Sequence, residues 1–186
     1  MMHIFLSHQL NTKKNKHSFF RTTKEGLTLL RWKEGGVRLT VYLRLDHRLP
    51  VGGGRVIHRY GKHIILLHPR PSQSFPWNTV RHELLHAMLK SKIRSKLRRY
   101  KIPLPTPKTY TSQTFRENLE EYCVRALQIL FLQQKNGLQW GQKQIVRELQ
   151  QGFLLMPIFV RFFQQWQKTK KPFSRNTFIE LVHFLN

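Results

Sequence analysis

Thr79-Val80-Arg81-His82-Glu83-Leu84-Leu85-His86-Ala87 is the stretch that decides how this chain is read: a His-Glu-x-x-His sequence between apolar flanks. Residues four apart on a helix lie nearly one above the other, so His82 and His86 can offer both imidazoles to a single ion. Two neutral imidazoles and an oxygen ligand make an open zinc site, whose remaining position holds a water acidified by the ion. Glu83 then stands where it can take that water's proton, and amide hydrolysis is the chemistry expected. A chain of this composition contains the pattern by accident in about two cases in a hundred, because histidine is common in it and glutamate is not. The competing reading is an amphipathic helix whose two histidines sit at the edge of a core.

Upstream of the motif the pattern is that of strands. Val37, Leu39, Val41, Leu43 and Leu45 alternate with Arg38, Thr40, Tyr42 and Arg44, the period of a half-buried strand. Asp46 to Gly54 is rich in Gly and Pro and reads as a turn or loop. Arg55 to Tyr60 and Lys62 to His68 read as two further strands around Gly61, and Pro69, Pro71 and Pro76 end the sheet. Residues 1–35 form a basic segment in which Leu27, Leu30 and Trp32 line a short helix ending at Gly35-Gly36. Pro76 with Asn78 or Thr79 supplies a start for the motif helix, which the recurrence of Leu89, Ile93 and Leu97 extends to about residue 99.

Downstream the chain reads as mostly helical. Lys101 to Thr111, with Pro103, Pro105 and Pro107, is a connection. Ser112 or Thr114 caps a helix from Phe115 to about Gln134. A further helix runs from about Lys143 to Gln167, bent or interrupted by Pro157. Ser174 caps a last short one carrying Phe178, Leu181, Val182 and Leu185.

The chain has 186 residues and a formal net charge of +24, with 33 Lys and Arg against 9 Asp and Glu. Its 40% hydrophobic content and 13 Phe argue against general disorder. No apolar run approaches a membrane span, and the first residues do not make a secretory signal. The one cysteine, Cys123, forms no intrachain disulfide, so a reducing, cytoplasmic setting is expected. The absence of acids before Glu25 leaves organelle targeting open. Such a charge attracts polyanions, and Lys90, Lys92, Arg94, Lys96, Arg98 and Arg99 form a candidate phosphate-contacting ridge. Only Tyr100 accompanies it, so it lacks the aromatic interleaving of single-strand binders.

Two histidines do not hold catalytic zinc alone. After His86 the next histidine is His183, near the C-terminus, so a carboxylate is the expected third ligand: Glu117, Glu120, Glu121, Glu148 or Glu180. On the helix from Phe115, side chains rotate by about 100° per residue, and Leu119, Tyr122, Cys123, Ala126, Leu127 and Leu130 define a buried arc. Glu120 falls at the edge of that arc. Glu117 and Glu121 lie farther round, with Gln128. An acid at a buried edge is costly unless it meets a proton or a cation, which favours Glu120. Glu117 as ligand with Glu121 supporting a histidine is the competing arrangement. Cys123, among apolar neighbours, reads as core.

The two segments together resemble a gluzincin, the zinc metallopeptidase group with His-Glu-x-x-His on one helix and a glutamate ligand on a later one. They are similar in particular to small phage and prophage-type proteins with His-Glu-Leu-Leu-His-Ala, then a helix like Val-Glu-Ala-Leu and a later Gln-Val-Leu. Here Leu119-Glu120-Glu121-Tyr122 and Gln128-Ile129-Leu130 stand in those places. The likeness covers roughly Val37 to Leu132, and it departs where Val124 occupies the place of an acid that often supports a ligating histidine. It implies His82, His86 and Glu120 on zinc with Glu83 as general base.

The expected fold is therefore α+β: a zincin-like domain over 36–186, with a small mixed sheet from strands within 37–68, packed on an active-site helix at about 77–99. A helical half over 113–186 completes it. The expected activity is zinc-dependent hydrolysis of a peptide or protein substrate, the peptide lying along a sheet edge, most simply beside Lys62 to His68. Tyr100, Tyr110 and His68 are candidates to stabilise the oxyanion. The alternative is a basic nucleic-acid-associated protein, either a SprT-like protease acting on DNA-bound proteins or a non-enzymatic DNA- or RNA-binding module.

Overall fold

In the computed structural model, residues 2–6, 13–30, 39–49, 53–59, 62–68, 77–93 and 115–185 are described. The chain divides into two compact units, 1–88 and 89–186. The class is α+β, with six helices and a small mixed sheet among the described residues.

The first unit contains β1 (Met2–Leu6), α1 (Lys13–Leu29), β2 (Leu39–Leu45), β3 (Gly54–Arg59), β4 (Lys62–Leu67) and the start of α2 (Trp77–Ile93). The sheet order is β1-β2-β4-β3, parallel between β1 and β2 and between β2 and β4, and antiparallel between β3 and β4. Alternation sets the faces: Val41 and Leu43 of β2, and His63, Ile65 and Leu67 of β4, are buried, while Arg44 is exposed. The run Ile64-Ile65-Leu66-Leu67 has no polar face, as suits a strand paired on both sides. That pairing corrects one expectation. β4 has no open edge for a peptide, because the hairpin places β3 on one side of it and β2 takes the other. On that side of the sheet β3 is the edge strand.

The N-terminal segment is more ordered than its composition suggested. β1 joins the sheet, and α1 is a 17-residue helix that ends at Leu29 rather than at Gly35-Gly36. Its buried stripe is Phe19, Thr22, Thr23, Gly26 and Leu30, in which the Thr23 hydroxyl donates to the Phe19 carbonyl at 2.9 Å. A stripe built on Thr and Gly is invisible to apolar periodicity. Gly26 sits under Met88, whose Sδ would lie 3.3 Å from a Cβ placed there.

The second unit carries α3 (Phe115–Asn136), α4 (Leu138–Gln150), α5 (Met156–Lys168) and α6 (Arg175–Leu185). The single helix expected over 143–167 is two. Gly152, at φ 94°, ends α4 with a bond from the Phe153 N–H to the Glu148 carbonyl at 3.0 Å. Pro157 lies in the first turn of α5, where its missing N–H costs nothing. Aromatic packing fills this unit: Tyr122 stacks on Phe159 at 4.7 Å between centroids and meets Phe153 edge-on, and Phe163, Trp166, Phe173 and Phe178 continue the cluster. Each such buried ring contributes roughly 1.5–3 kcal/mol by area. Ser174 opens α6 as expected, its backbone N–H donating to Thr177 Oγ1 at 3.1 Å, and Phe178, Leu181 and Val182 are buried. The expected caps Ser112 and Thr114 and the extension of α2 beyond Ile93 lie outside the described residues.

Candidate metal centre

The position of α2 in the first unit is fixed by Arg81. Its guanidinium donates to Asn78 Oδ1 at 2.9 Å, one turn back, and to Glu25 Oε2 of α1 at 3.0 Å, and the side chain is almost fully buried. Val80, Leu84, Leu85, Ala87 and Met88 of the same helix are also buried, so this span has no freely solvated face. His82 and His86 are half-buried on the face that remains.

The two imidazoles converge. Their Nε2 atoms stand 3.2 Å apart, with ring centroids at 4.8 Å and planes at 71°. Two nitrogens bound tetrahedrally at 2.0–2.1 Å to one ion are separated by about 3.3 Å, so the spacing of the pair is that of two ligands on one metal. Glu83 is buried between them in sequence and faces the start of β3. A Cβ on Gly54 would lie 2.5 Å from Thr79 Cγ2, 2.9 Å from Glu83 Cγ and 3.0 Å from Glu83 Oε1. The edge strand therefore begins directly against the carboxylate, and only glycine allows that approach. Gly54 closes the Gly- and Pro-rich stretch from Asp46, whose pattern carries no sign of this contact.

Among the described residues, His82, His86 and Glu121 are the group whose donor atoms could hold a metal ion. This differs from the set His82, His86 and Glu120 expected from helical phase. The phase argument assumed one buried arc on α3, whereas every side chain from Asn118 to Val124 is buried. With burial on all sides, phase no longer separates Glu120 from Glu121.

Glu121 Oε1 accepts from Arg125 Nε at 2.6 Å, and Arg125 Nη1 donates to Glu148 Oε2 at 2.6 Å while the guanidinium lies 4.1 Å from the centroid of the Phe153 ring. Glu120 lies by Cys123, whose thiol is pushed well above its ordinary pKa, first by burial and then by the Glu120 charge. Cys123 is thus core, as expected. Glu180 and His183 are exposed on α6.

The side chain of Glu117 lies outside the described residues, as do Tyr100 and Tyr110. Of the basic ridge, Lys90 and Lys92 belong to α2 without described side chains, and Arg94, Lys96, Arg98 and Arg99 fall outside the described residues. His68 is half-buried, its ring 6.3 Å from that of His47. No helix among the described residues is long and apolar enough to cross a membrane. Compared with family models, with curated proteins and with solved structures, the chain matches none.

Proposed function

We propose that this chain is a zinc metallopeptidase of gluzincin type, with a zincin-like arrangement of sheet and motif helix. The observation that carries the reading is the 3.2 Å convergence of His82 and His86 Nε2 with Glu83 buried between them on the same helix. A buried carboxylate beside two facing imidazoles at a core edge makes a costly arrangement for packing alone. Two converging imidazoles with a general base on the same helix are what an open zinc site needs from its motif helix, the ligand carboxylate coming from elsewhere.

His82 and His86 hold the ion, and a glutamate of α3 completes the set. Glu121 is the choice supported by the donor group, and Glu120 is the choice supported by the resemblance. A zinc ion bound there supplies polarisation of the scissile carbonyl and acidification of a water. Glu83 accepts the proton of the attacking water and delivers it to the leaving amine, which balances the proton over the cycle. The substrate is an extended peptide that adds to the open edge of β3, Gly54–Arg59. Such a peptide would reach Glu83 at the Gly54 end, where backbone and carboxylate already touch.

Glu83→Gln tests this assignment. The expected result is a loss of at least about 100-fold in the rate of peptide cleavage, the usual span of general acid–base catalysis, with metal content retained. Unchanged cleavage by the variant would overturn it.

A further inference from the structure

We propose that the end of the helical unit formed by Lys135, Lys168, Lys170 and Lys171 is a binding surface for the phosphate backbone of a duplex nucleic acid. The four lysines come together because α3 and α5 finish side by side. Gln134 Nε2 of α3 donates to Gln167 Oε1 of α5 at 3.3 Å, one residue before Lys135 and Lys168 respectively. Beyond α5 the chain turns sharply. Thr169 Oγ1 donates to the Trp166 carbonyl at 2.8 Å and accepts from the Lys171 N–H at 3.3 Å, and Lys170 takes φ 59°. The turn holds Lys170 and Lys171 beside the helix ends. All four lysines are exposed, and none is ion-paired among the described residues.

The distribution of acids makes this more than a solvated surface. In the second unit the described acidic side chains are Glu120, Glu121, Glu148 and Glu180, and the first three are buried. Glu180 is the single exposed acid among them, so the exposed cations of this unit outnumber the described carboxylates that could neutralise them. A lysine at a helix C-terminus is favoured by the dipole, which accounts for Lys135 and Lys168. It does not account for Lys170 and Lys171, which lie past the end of α5.

The partner follows from what surrounds the lysines. The exposed amides of Gln134 and Gln165 add neutral donors suited to phosphate and sugar oxygens. Among the described large apolar side chains of this unit the one exposed aromatic is Phe184, at 39%, so no platform of rings stands ready to stack splayed bases. Charge without stacking favours a duplex backbone over a single strand, and it reads no sequence. This surface is independent of the metal centre.

Binding of a short labelled duplex DNA and of the matching duplex RNA, followed by fluorescence anisotropy over a salt series, tests the proposal on the full chain. The comparison is between wild type, Lys135→Gln/Lys168→Gln/Lys170→Gln/Lys171→Gln, and a control of equal charge change, Arg21→Gln/Lys24→Gln/Arg44→Gln/Arg55→Gln. Thermal melting establishes that each is folded. The lysine variant is expected to bind at least about tenfold more weakly and to flatten the slope of log affinity against log salt by about 3 to 4, since each phosphate contact contributes about 0.9. The control is expected to lose less than half of that slope, and His82→Ala to bind as wild type does. Equal losses in variant and control would reduce the effect to net charge and overturn the site. So would tighter binding to the corresponding single strand, or binding to polyglutamate without binding to either duplex.

Discussion

Gly54 and Glu83 are in contact across the first unit: a Cβ on the glycine would fall 2.9 Å from the glutamate Cγ and 3.0 Å from its Oε1. The strand at the open edge of the sheet and the proposed general base are therefore placed by the same approach. Gly54→Ala must push Glu83 or β3 aside, at a cost of about 1–3 kcal/mol. The expected outcome is a fall in cleavage rate of at least about tenfold with zinc content unchanged, since the atoms nearest that Cβ belong to Thr79 and Glu83 and not to His82 or His86. Cleavage at the wild-type rate would show that Glu83 does not act from its observed position.

The Glu121–Arg125–Glu148 chain is buried to within 10–16% side-chain exposure and joins α3 to α4. Removing the guanidinium leaves two carboxylates without their shared cation. Arg125→Met is expected to cost about 3 kcal/mol in urea unfolding, toward the lower end for a broken buried pair because some solvent remains. Glu148→Gln keeps a hydrogen-bond acceptor and is expected to cost less than half as much. Equal stability of Arg125→Met and wild type would remove this network from the account.

Two groups of α3 make the fold sensitive to alkali. Burial raises the Cys123 thiol well above 9.0, aided by Glu120, and burial raises the Tyr122 phenol above 10.0 against backbone bonds from Leu155 and Leu154 that work the other way. In both cases the folded chain holds its proton more tightly than the unfolded one. Their contribution is fully present below pH 9 and is lost as pH rises from there, so stability must decline above pH 9. Cys123→Ser and Cys123→Ala both remove the ionisable thiol, and both are expected to flatten the decline. Native protein is also expected to resist thiol-specific alkylation until it is denatured. Rapid modification of the folded chain at neutral pH would contradict the buried placement.

Much of this architecture could be read from residue pattern. The alternation of Val41 and Leu43 with Tyr42 and Arg44, the Ile-Ile-Leu-Leu run of β4, and the motif helix starting near Trp77 all appear where the periodicity placed them. What escaped has physical causes. α1 buries Thr22, Thr23 and Gly26, residues whose polar or minimal side chains carry no apolar signal. The break between α4 and α5 lies at Gly152 rather than at Pro157, because a proline in a first turn starts a helix as readily as it ends one. Helical phase does not separate Glu120 from Glu121, because α3 is buried on all sides where they sit. Neither does sequence indicate that a loop glycine, Gly54, lies against the catalytic candidate Glu83.

The measurement that tests the central claim most directly is metal content by mass spectrometry on purified protein, for wild type, His82→Ala, His86→Ala, Glu121→Ala and Glu120→Ala. The account predicts one zinc per chain in the wild type, lost in both histidine variants and in Glu121→Ala, and retained in Glu120→Ala. Zinc lost in Glu120→Ala and kept in Glu121→Ala would move the third ligand by one residue. A wild-type protein that takes up no zinc on reconstitution, or that keeps it without His82 and His86, would contradict the metal centre itself.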